Sequence, residues 1–229
     1  SILVRLSGKR ILFDPVVKSK PYGNKWVFFP ENQFSEAVSG IDGVFVSHIH
    51  QDHYDVNFLK SISTNIPIFI LDGRPQFEAS LVSNNIKHRV IKSFEIVEIF
   101  EGVFVYGILN RQNGVDSSCI IFNSETKFYH GNDNYCSLTD LRDARESVGS
   151  VDFGFIPFAY INWYPGLIGS LSCSEKRAES RRLVQAHCDI AIAQAEILGV
   201  KKMVPFGANL FQKVDAFSDS AREILCPAE

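Results

Sequence analysis

Four side chains that bind metals lie within six consecutive positions of this sequence. Residues 47–55 read SHIHQDHYD and contain His48, His50, Asp52 and His53. His48 and His50 are two residues apart, so an extended chain would direct both imidazoles to one side, where they could share an ion. Asp52 and His53 follow as the chain turns and could face a second ion. Imidazole and carboxylate suit zinc, iron or manganese, and no thiolate cluster accompanies them. The segment therefore predicts a metal centre.

The elements that must position this segment alternate between strand and helix patterns. An apolar run at residues 43–47 predicts a strand buried on both faces directly before the histidines. Further strands are predicted at residues 67–71, 89–91, 153–157 and 202–205, and hairpins pair 2–6 with 11–13, 95–100 with 103–108, and 119–122 with 127–130. Helices are predicted at residues 76–83, 138–148 and 174–198 and in a tail at 214–225. Ser172 and Glu175 have the spacing of a capping box ahead of the long helix, and Gly199 follows it.

Composition limits the classes of protein that remain. The 229 residues are 45% hydrophobic, with 23 basic and 26 acidic side chains and a net charge of -3. A large core can therefore form, and the charge gives no basis for nucleic-acid binding. The longest apolar runs fall short of the roughly 20 residues that a membrane helix needs. Five scattered cysteines indicate reduced thiols in a cytoplasmic protein. We expect one mixed α/β domain over residues 1–229, as a monomer or a homo-oligomer.

The pattern H-x-H-x-D-H at His48, His50, Asp52 and His53 resembles the hallmark of the metallo-β-lactamase superfamily. The resemblance implies a four-layer αββα sandwich and a dinuclear site that generates a metal-bound hydroxide. It also implies that Asp52 is catalytic, because in this superfamily that residue binds metal and orients the attacking water. We expect one or two divalent ions as the cofactor, with zinc as the first choice and iron or manganese as alternatives.

A second match follows an apolar strand at residues 128–134, which read FYHGNDN. In the superfamily a bridging carboxylate follows this strand, so the resemblance makes Asp133 the candidate; a helix-capping or turn aspartate is the alternative. His130 is an additional candidate ligand or, equally, a hydrogen-bonded residue at the strand end.

Two departures from the superfamily pattern are visible. Hydrolytic members carry a third histidine before the bridging carboxylate, where residues 107–114 here read GILNRQNG. They also carry a last histidine after the final strand, where residues 204–208 read VPFGA. A single ion, iron, or a weakly bound pair of ions all stay open.

Several short pieces narrow the resemblance to the metallo-β-lactamase-like domain of CMP-N-acetylneuraminate hydroxylase and its bacterial relatives. They are residues 26–30, 116–117, 132–133, 164–165, 175–176 and 205–207. That hydroxylase also needs a Rieske cluster with paired cysteine and histidine ligands. This sequence has no Cys-x-His or Cys-x-x-His pair. Oxygenase chemistry would therefore require a separate electron donor.

Two further residues are candidates to contact metal ligands without binding the ion. Asp14 ends a strand at Asp-Pro and resembles a group that orients a metal-binding histidine; a turn-initiating aspartate is the alternative. His187 lies on the apolar stripe of the long helix, one turn from Leu183, where a hydrogen-bonded core histidine is an ordinary finding.

Other side chains are candidates to bind a small-molecule substrate. Arg111 lies in the loop that lacks a histidine and could hold an anion; Lys176 and Arg177 could do the same but fit a solvated helix face. An aromatic run would form a pocket wall or would pack in the core: Phe158, Tyr160, Trp163 and Tyr164, with Tyr22 and Trp26.

Three functions follow from these expectations. The first is a metal-dependent hydrolase that uses a metal-activated water on an ester, lactone or phosphodiester. The second is an iron-dependent oxygenase acting on a nucleotide-sugar or natural-product substrate. The third, kept open by the two absent histidines, is a degenerate fold that serves as a binding module without catalysis. All three take a small-molecule ligand and involve neither nucleic acid nor membrane.

Overall fold

Two β-sheets form the centre of the computed structural model, which describes residues 1–24, 38–62, 64, 66–158, 160 and 164–206. The first sheet has the order β1-β2-β3-β4-β5, with strands Ile2–Leu6, Lys9–Phe13, Gly43–Phe45, Ile68–Leu71 and Arg89–Ile91. The second has the order β11-β10-β9-β8-β7-β6, with β6 to β11 at Ile96–Phe100, Val103–Leu109, Ser117–Phe122, Lys127–His130, Phe153–Pro157 and Lys202–Phe206.

The helices lie between these strands in the sequence. They are α1 at Pro21–Asn24, a single turn with left-handed residues inside it, α2 at Val56–Ser61, α3 at Pro75–Ser83, α4 at Leu138–Val148 and α5 at Cys173–Leu198. Strands β2 to β5 run parallel, as do β9, β10 and β11, while β6 to β9 are antiparallel. Parallel strands present their carboxyl ends at one edge of a sheet, and that edge carries the candidate site.

Alternation along the strands separates the core into three apolar layers. Side chains from the inner faces of both sheets meet in the middle layer, where Phe45 and Phe69 pack with Val105 and Ile121. The residues between them point outward, as strand geometry requires. On the first sheet the outward layer packs on α2 and α3, through Leu12, Val44, Ile70, Phe58 and Phe77. On the second it packs on α4 and α5, through Tyr106, Ile120, Tyr129, Leu141 and Leu198. The order helix, sheet, sheet, helix confirms the αββα prediction.

A glycine sets how closely the two sheets approach. A Cβ atom on Gly107 of β7 would lie 2.3 Å from Cδ2 of Leu71 on β4. Any larger side chain would therefore push the sheets apart directly behind the loops that carry the histidines.

Most of the predicted elements are confirmed, including the hairpins, the long helix and its capping box of Ser172 and Glu175. Two corrections concern the histidine segment: β3 ends at Phe45 rather than residue 47, and the short helix α2 was not predicted. The predicted tail helix at 214–225 lies outside the described residues, so the single-domain prediction for residues 1–229 stays a prediction. Among the helices that the structure describes, none has the length and apolarity to cross a membrane.

Candidate metal centre

Four loops bring acidic and imidazole side chains to one edge of the sandwich. Asp14 follows β2, the segment from Ser47 to His53 follows β3, and Asp133 follows β9. Asp116 directly precedes β8, which is antiparallel to β9, so it reaches the same edge. The fold thus collects residues from widely separated parts of the sequence at one place.

The first cluster of donor atoms, here called the His50 group, contains His48, His50 and Asp116, with donor atoms within 4.8 Å of one another. His48 Nε2 lies 2.9 Å from His50 Nδ1 and 3.7 Å from Asp116 Oδ1. The two histidines were predicted to meet because of an extended chain, but they lie beyond the end of β3 where the backbone bends. They meet because the turn brings them together, so the reason given by the sequence pattern was wrong.

The second cluster, the His53 group, contains His48, His53 and Asp133 with the same spacing limit. His53 Nε2 lies 3.1 Å from Asp133 Oδ2, and His48 Nε2 lies 4.0 Å from that oxygen. One nitrogen binds one ion, so His48 can serve only one group at a time. A pair of ions would need a further ligand, and Asp52 Oδ2, 3.7 Å from His53 Nε2, is placed to provide it.

Asp14 holds His53 and Ser47 in place through its two carboxylate oxygens. Its Oδ1 accepts a hydrogen bond from the Ser47 amide at 2.7 Å, and its Oδ2 accepts one from the Ser47 hydroxyl at 2.8 Å. Oδ2 also lies 3.0 Å from His53 Nδ1. Since a carboxylate only accepts hydrogen bonds, His53 carries a proton on Nδ1 and turns Nε2 toward Asp133. This is the geometry predicted for an aspartate that orients a metal ligand.

Charge in the cluster favours a cation. Burial lowers the pKa of His53, but hydrogen bonds to Asp133 and Asp14 outweigh it and raise that pKa to about 10. Burial and the neighbouring His53 lower the pKa of His48 to about 3. Burial and Asp133 also raise the pKa of Asp116. One imidazolium therefore faces several carboxylates.

Asp116 gives the strongest indication that the donor atoms of the His50 group fit a metal ion. Its Oδ1 atom is buried and has no hydrogen-bond partner in the described part of the chain. A buried carboxylate oxygen without a partner is costly, and a bound cation would remove that cost. The oxygen belongs to the His50 group, whose mixed nitrogen and oxygen donors suit a divalent transition metal.

Arg74, which was not predicted as a site residue, joins two of the loops through hydrogen bonds. Its buried guanidinium donates to the Ser47 carbonyl and, at 3.0 Å, to the Ser117 hydroxyl. The Ser117 hydroxyl in turn donates to the Ser47 carbonyl at 2.7 Å. Burial lowers the pKa of Arg74 to about 10, opposed by Asp14, Asp72 and Asp116. The side chain joins the loop of His48 to the strand that begins after Asp116.

Asp55 fixes the far end of the segment. It caps α2 by accepting the Phe58 amide at 2.9 Å. Its Oδ2 also accepts the amides of Val17, Lys18 and Ser19 at 2.9, 2.6 and 2.8 Å. Burial raises the pKa of Asp55, but these hydrogen bonds, led by Ser19, bring it below its usual value. The segment after β2 is thereby held against the histidine loop.

The remaining predicted site residues lie around this centre in different ways. His130 is buried and belongs to neither group; its Nε2 lies 3.2 Å from Asp14 Oδ2 and its ring packs edge-on against Phe13. His187 bonds to the Leu183 carbonyl at 2.9 Å and packs between Tyr135 and Tyr160. Neither residue is placed within either group of donor atoms.

The predicted substrate residues are more scattered. Arg111 lies 4.2 Å from the centre of the Phe94 ring and 3.4 Å from an oxygen of Asp140. Tyr164 is exposed and donates to Glu179 at 3.1 Å. Tyr160 contacts His187. Trp163, Trp26 and residues 207–208 lie outside the described residues. The role of these side chains in binding stays a prediction.

Asp116 is a further functional candidate that was not predicted as a ligand. A histidine was expected within residues 107–114, whereas the donor is a carboxylate two positions later. The signal was present, because the first residue before a strand that pairs antiparallel to β9 must lie at the edge where Asp133 lies.

No protein-family model matches the chain. A Mycobacterium tuberculosis protein described as a Rieske 2Fe-2S iron–sulfur protein is 24% identical over 89% of this chain and 41% of its own length. The cytidine monophosphate-N-acetylneuraminic acid hydroxylase of Mus musculus is 27% identical over 44% of this chain and 20% of its own length. The chain therefore spans less than half of the relatives it matches.

Two solved structures share the architecture. CmlA, a diiron β-hydroxylase from Streptomyces venezuelae, aligns with a TM-score of 0.64 at 18% identity, over 97% of this chain and 47% of that one. An isothiocyanate hydrolase from Delia radicum gut bacteria aligns with a TM-score of 0.60 at 14% identity, over 97% and 87%. The chain has the metallo-β-lactamase fold, and in sequence it is similar to the CMP-N-acetylneuraminic acid hydroxylases.

Proposed function

We propose that this chain is the metal-binding domain of an iron-dependent hydroxylase. The observation that carries the proposal is Asp116, a carboxylate in the ligand group where hydrolytic members of the superfamily have a third histidine. Replacing an imidazole by a carboxylate makes the donor set harder, which favours iron or manganese over zinc. Asp133 and Asp52 add two more carboxylates beside it.

The names of the similar proteins also support an iron-dependent hydroxylase. The mycobacterial and murine proteins are an iron–sulfur protein and a hydroxylase by their names, and CmlA is a diiron hydroxylase. Hydroxylation of a C–H bond by dioxygen consumes two electrons and two protons, and it yields the alcohol and water. The chain has no Cys-x-His pair, so an iron–sulfur cluster outside it is the class of donor that would supply those electrons.

The side chains have separate tasks in this proposal. His48, His50 and Asp116 would hold one ion, and His53, Asp133 and Asp52 a second; two irons would supply the redox chemistry with dioxygen. Asp14 keeps Nε2 of His53 directed at Asp133 through the 3.0 Å contact with Nδ1.

Substrate would approach over the face where Asp133 is 43% exposed and His50 is exposed. The opposite side is closed by the buried side chains of Arg74 and Asp14. The reacting carbon would therefore meet the site from the exposed side.

Elemental analysis of the chain purified without added metal tests the proposal. We expect about two irons, or iron and manganese, for each chain. The substitution Asp116→His should shift the bound metal toward zinc, whereas Asp143→His, on the exposed face of α4, should leave it unchanged. Stoichiometric zinc in the unaltered chain would contradict the proposal.

A metal-dependent hydrolase is the second candidate. The unbroken H-x-H-x-D-H segment favours it, together with the position of Asp52 beside His53. In that case a metal-activated water would attack an ester, lactone or phosphodiester, and Asp52→Ala would abolish turnover while the fold is kept. Turnover of such substrates by the zinc-loaded chain, without a reductant, would favour hydrolysis over hydroxylation.

A further inference from the structure

Asp52 divides its two oxygen atoms between different neighbours. Oδ2 lies 3.7 Å from His53 Nε2, on the side of the His53 group. Oδ1 accepts a hydrogen bond of 2.8 Å from the hydroxyl of Tyr22, thirty residues earlier in the chain. Asp52 itself belongs to neither set of donor atoms that lie within 4.8 Å of one another in the described part of the chain. The Tyr22 hydroxyl thus occupies one of the two oxygens of this carboxylate.

Hydrogen bonds fix both the backbone of Tyr22 and the residues that precede it. Its backbone amide donates to Oε1 of Gln51 at 2.7 Å, so the residue before Asp52 binds the tyrosine backbone. The preceding residues 17–19 are fixed by the Asp55 carboxylate. Tyr22 also has φ 54 and ψ 42, a left-handed conformation that aromatic residues rarely adopt. A conformation of this kind persists only where surrounding contacts maintain it.

We propose that Tyr22 is a positioning residue that orients Asp52 so that only Oδ2 is directed to the ion held by His53 and Asp133. The inference rests on the proposed metal centre and adds to it a residue from outside the histidine segment. A phenol that donates to a carboxylate forms a charge-assisted hydrogen bond, stronger than one between neutral groups. It leaves one oxygen of Asp52 occupied, so the carboxylate binds the ion through the other.

Titration of the metal-free chain with Co²⁺, followed by visible absorption, tests this role. The unaltered chain should bind two equivalents. Loss of a hydrogen-bond partner of a metal ligand commonly lowers affinity by about 10- to 100-fold. Tyr22→Phe should therefore weaken one equivalent by that factor and alter its spectrum, while the equivalent bound by His48, His50 and Asp116 is unchanged.

The matched control is Tyr54→Phe. Tyr54 follows His53 directly, but its hydroxyl is directed to Ser80 Oγ on α3, at 3.3 Å. Its removal should leave both Co²⁺ equivalents as they are. Thermal midpoints of the metal-free variants show whether each one is folded.

A double-mutant cycle separates positioning from a structural effect. If Tyr22 acts through Asp52, Tyr22→Phe should have no further effect on Co²⁺ affinity when Asp52 is already alanine. An equal loss in both backgrounds would overturn the inference, as would unchanged affinity and spectrum in Tyr22→Phe alone. A chain that binds no Co²⁺ at all would instead overturn the metal centre, and the proposed function with it.

Discussion

The two groups of donor atoms share His48 but differ in how they are supported. In the His53 group, His53 is buried and its second nitrogen is held by the buried Asp14. In the His50 group, His50 is exposed and its partner Asp116 carries a buried oxygen without a hydrogen bond. A ligand fixed before the ion arrives loses less entropy on binding. We therefore expect the His53 group to bind its ion more tightly, and the His50 group to hold the more exchangeable one.

The largest effect should come from removing the support of the His53 group. Asp14→Ala would remove one of the two carboxylates that contact His53 and leave the Ser47 amide without its acceptor. Breaking a buried pair of this kind typically costs about 3–5 kcal/mol. Denaturant unfolding of the metal-free chain measures it, and Glu95→Ala, which removes an exposed ion pair with Lys92, is the control. A loss below about 1 kcal/mol would mean that Asp14 does not anchor this side.

The protonation of His53 should make the metal-free chain lose stability as the pH rises. Its pKa is raised from 6.5 to about 10 by Asp133 and Asp14, against the effect of burial. The stabilisation is therefore complete below pH 6.5 and disappears as the pH rises through 10. Within this window the free energy of unfolding should fall by up to about 1.4 kcal/mol per pH unit. His53→Gln should flatten the slope; the same slope in that variant would assign it to another group.

Substitution of His50 and His53, which each belong to only one group, tests which group binds its ion more tightly. His53→Ala should weaken the tighter equivalent by at least about 100-fold, because it removes a ligand and one of the hydrogen-bond partners of Asp14. His50→Ala should weaken only the exchangeable equivalent, by about 10-fold or more. Competition with a chelator of known affinity measures both. A larger loss for His50→Ala than for His53→Ala would show that support of the ligand by Asp14 does not decide which ion is bound more tightly.

The smallest effect concerns the side chain that joins the two loops. Arg74→Lys keeps the buried charge but loses the fork that donates to both Ser47 and Ser117. We expect a fall in melting temperature and a loss of about 10-fold in metal affinity, spread over both equivalents. A loss confined to one equivalent would indicate that Arg74 supports only that group.

Much of the fold could be predicted from sequence because its signals are local. Alternating apolar residues marked the strands, and the capping box and Gly199 marked the ends of α5. The start of α2 was missed because Asp55, its capping residue, lies inside the histidine segment and was not considered as a cap. The end of β3 was placed too late because the apolar run continues to Val46, whose amide still donates to Phe69 of β4 at 3.0 Å although the strand ends at Phe45.

The site was only partly predictable because its completing residues come from distant loops. His48, His50, Asp52 and His53 were visible through their spacing. Asp116, Arg74 and Tyr22 have no spacing relation to them, and only the pairing of β8 with β9 and the path of residues 14–24 bring them close. His187 has the helical spacing expected of a core histidine, and its ring lies between Tyr135 and Tyr160 rather than at the donor atoms.

A crystal structure of the iron-loaded chain, with anomalous diffraction measured at the iron edge, would show whether these side chains hold two ions. We expect two peaks within coordination distance of the side chains, one between His53 and Asp133 and one between His48 and Asp116. The peak beside His53 should have the higher occupancy when iron is limiting. Crystals that show no peak among these residues, with the imidazoles directed away from one another, would contradict this expectation.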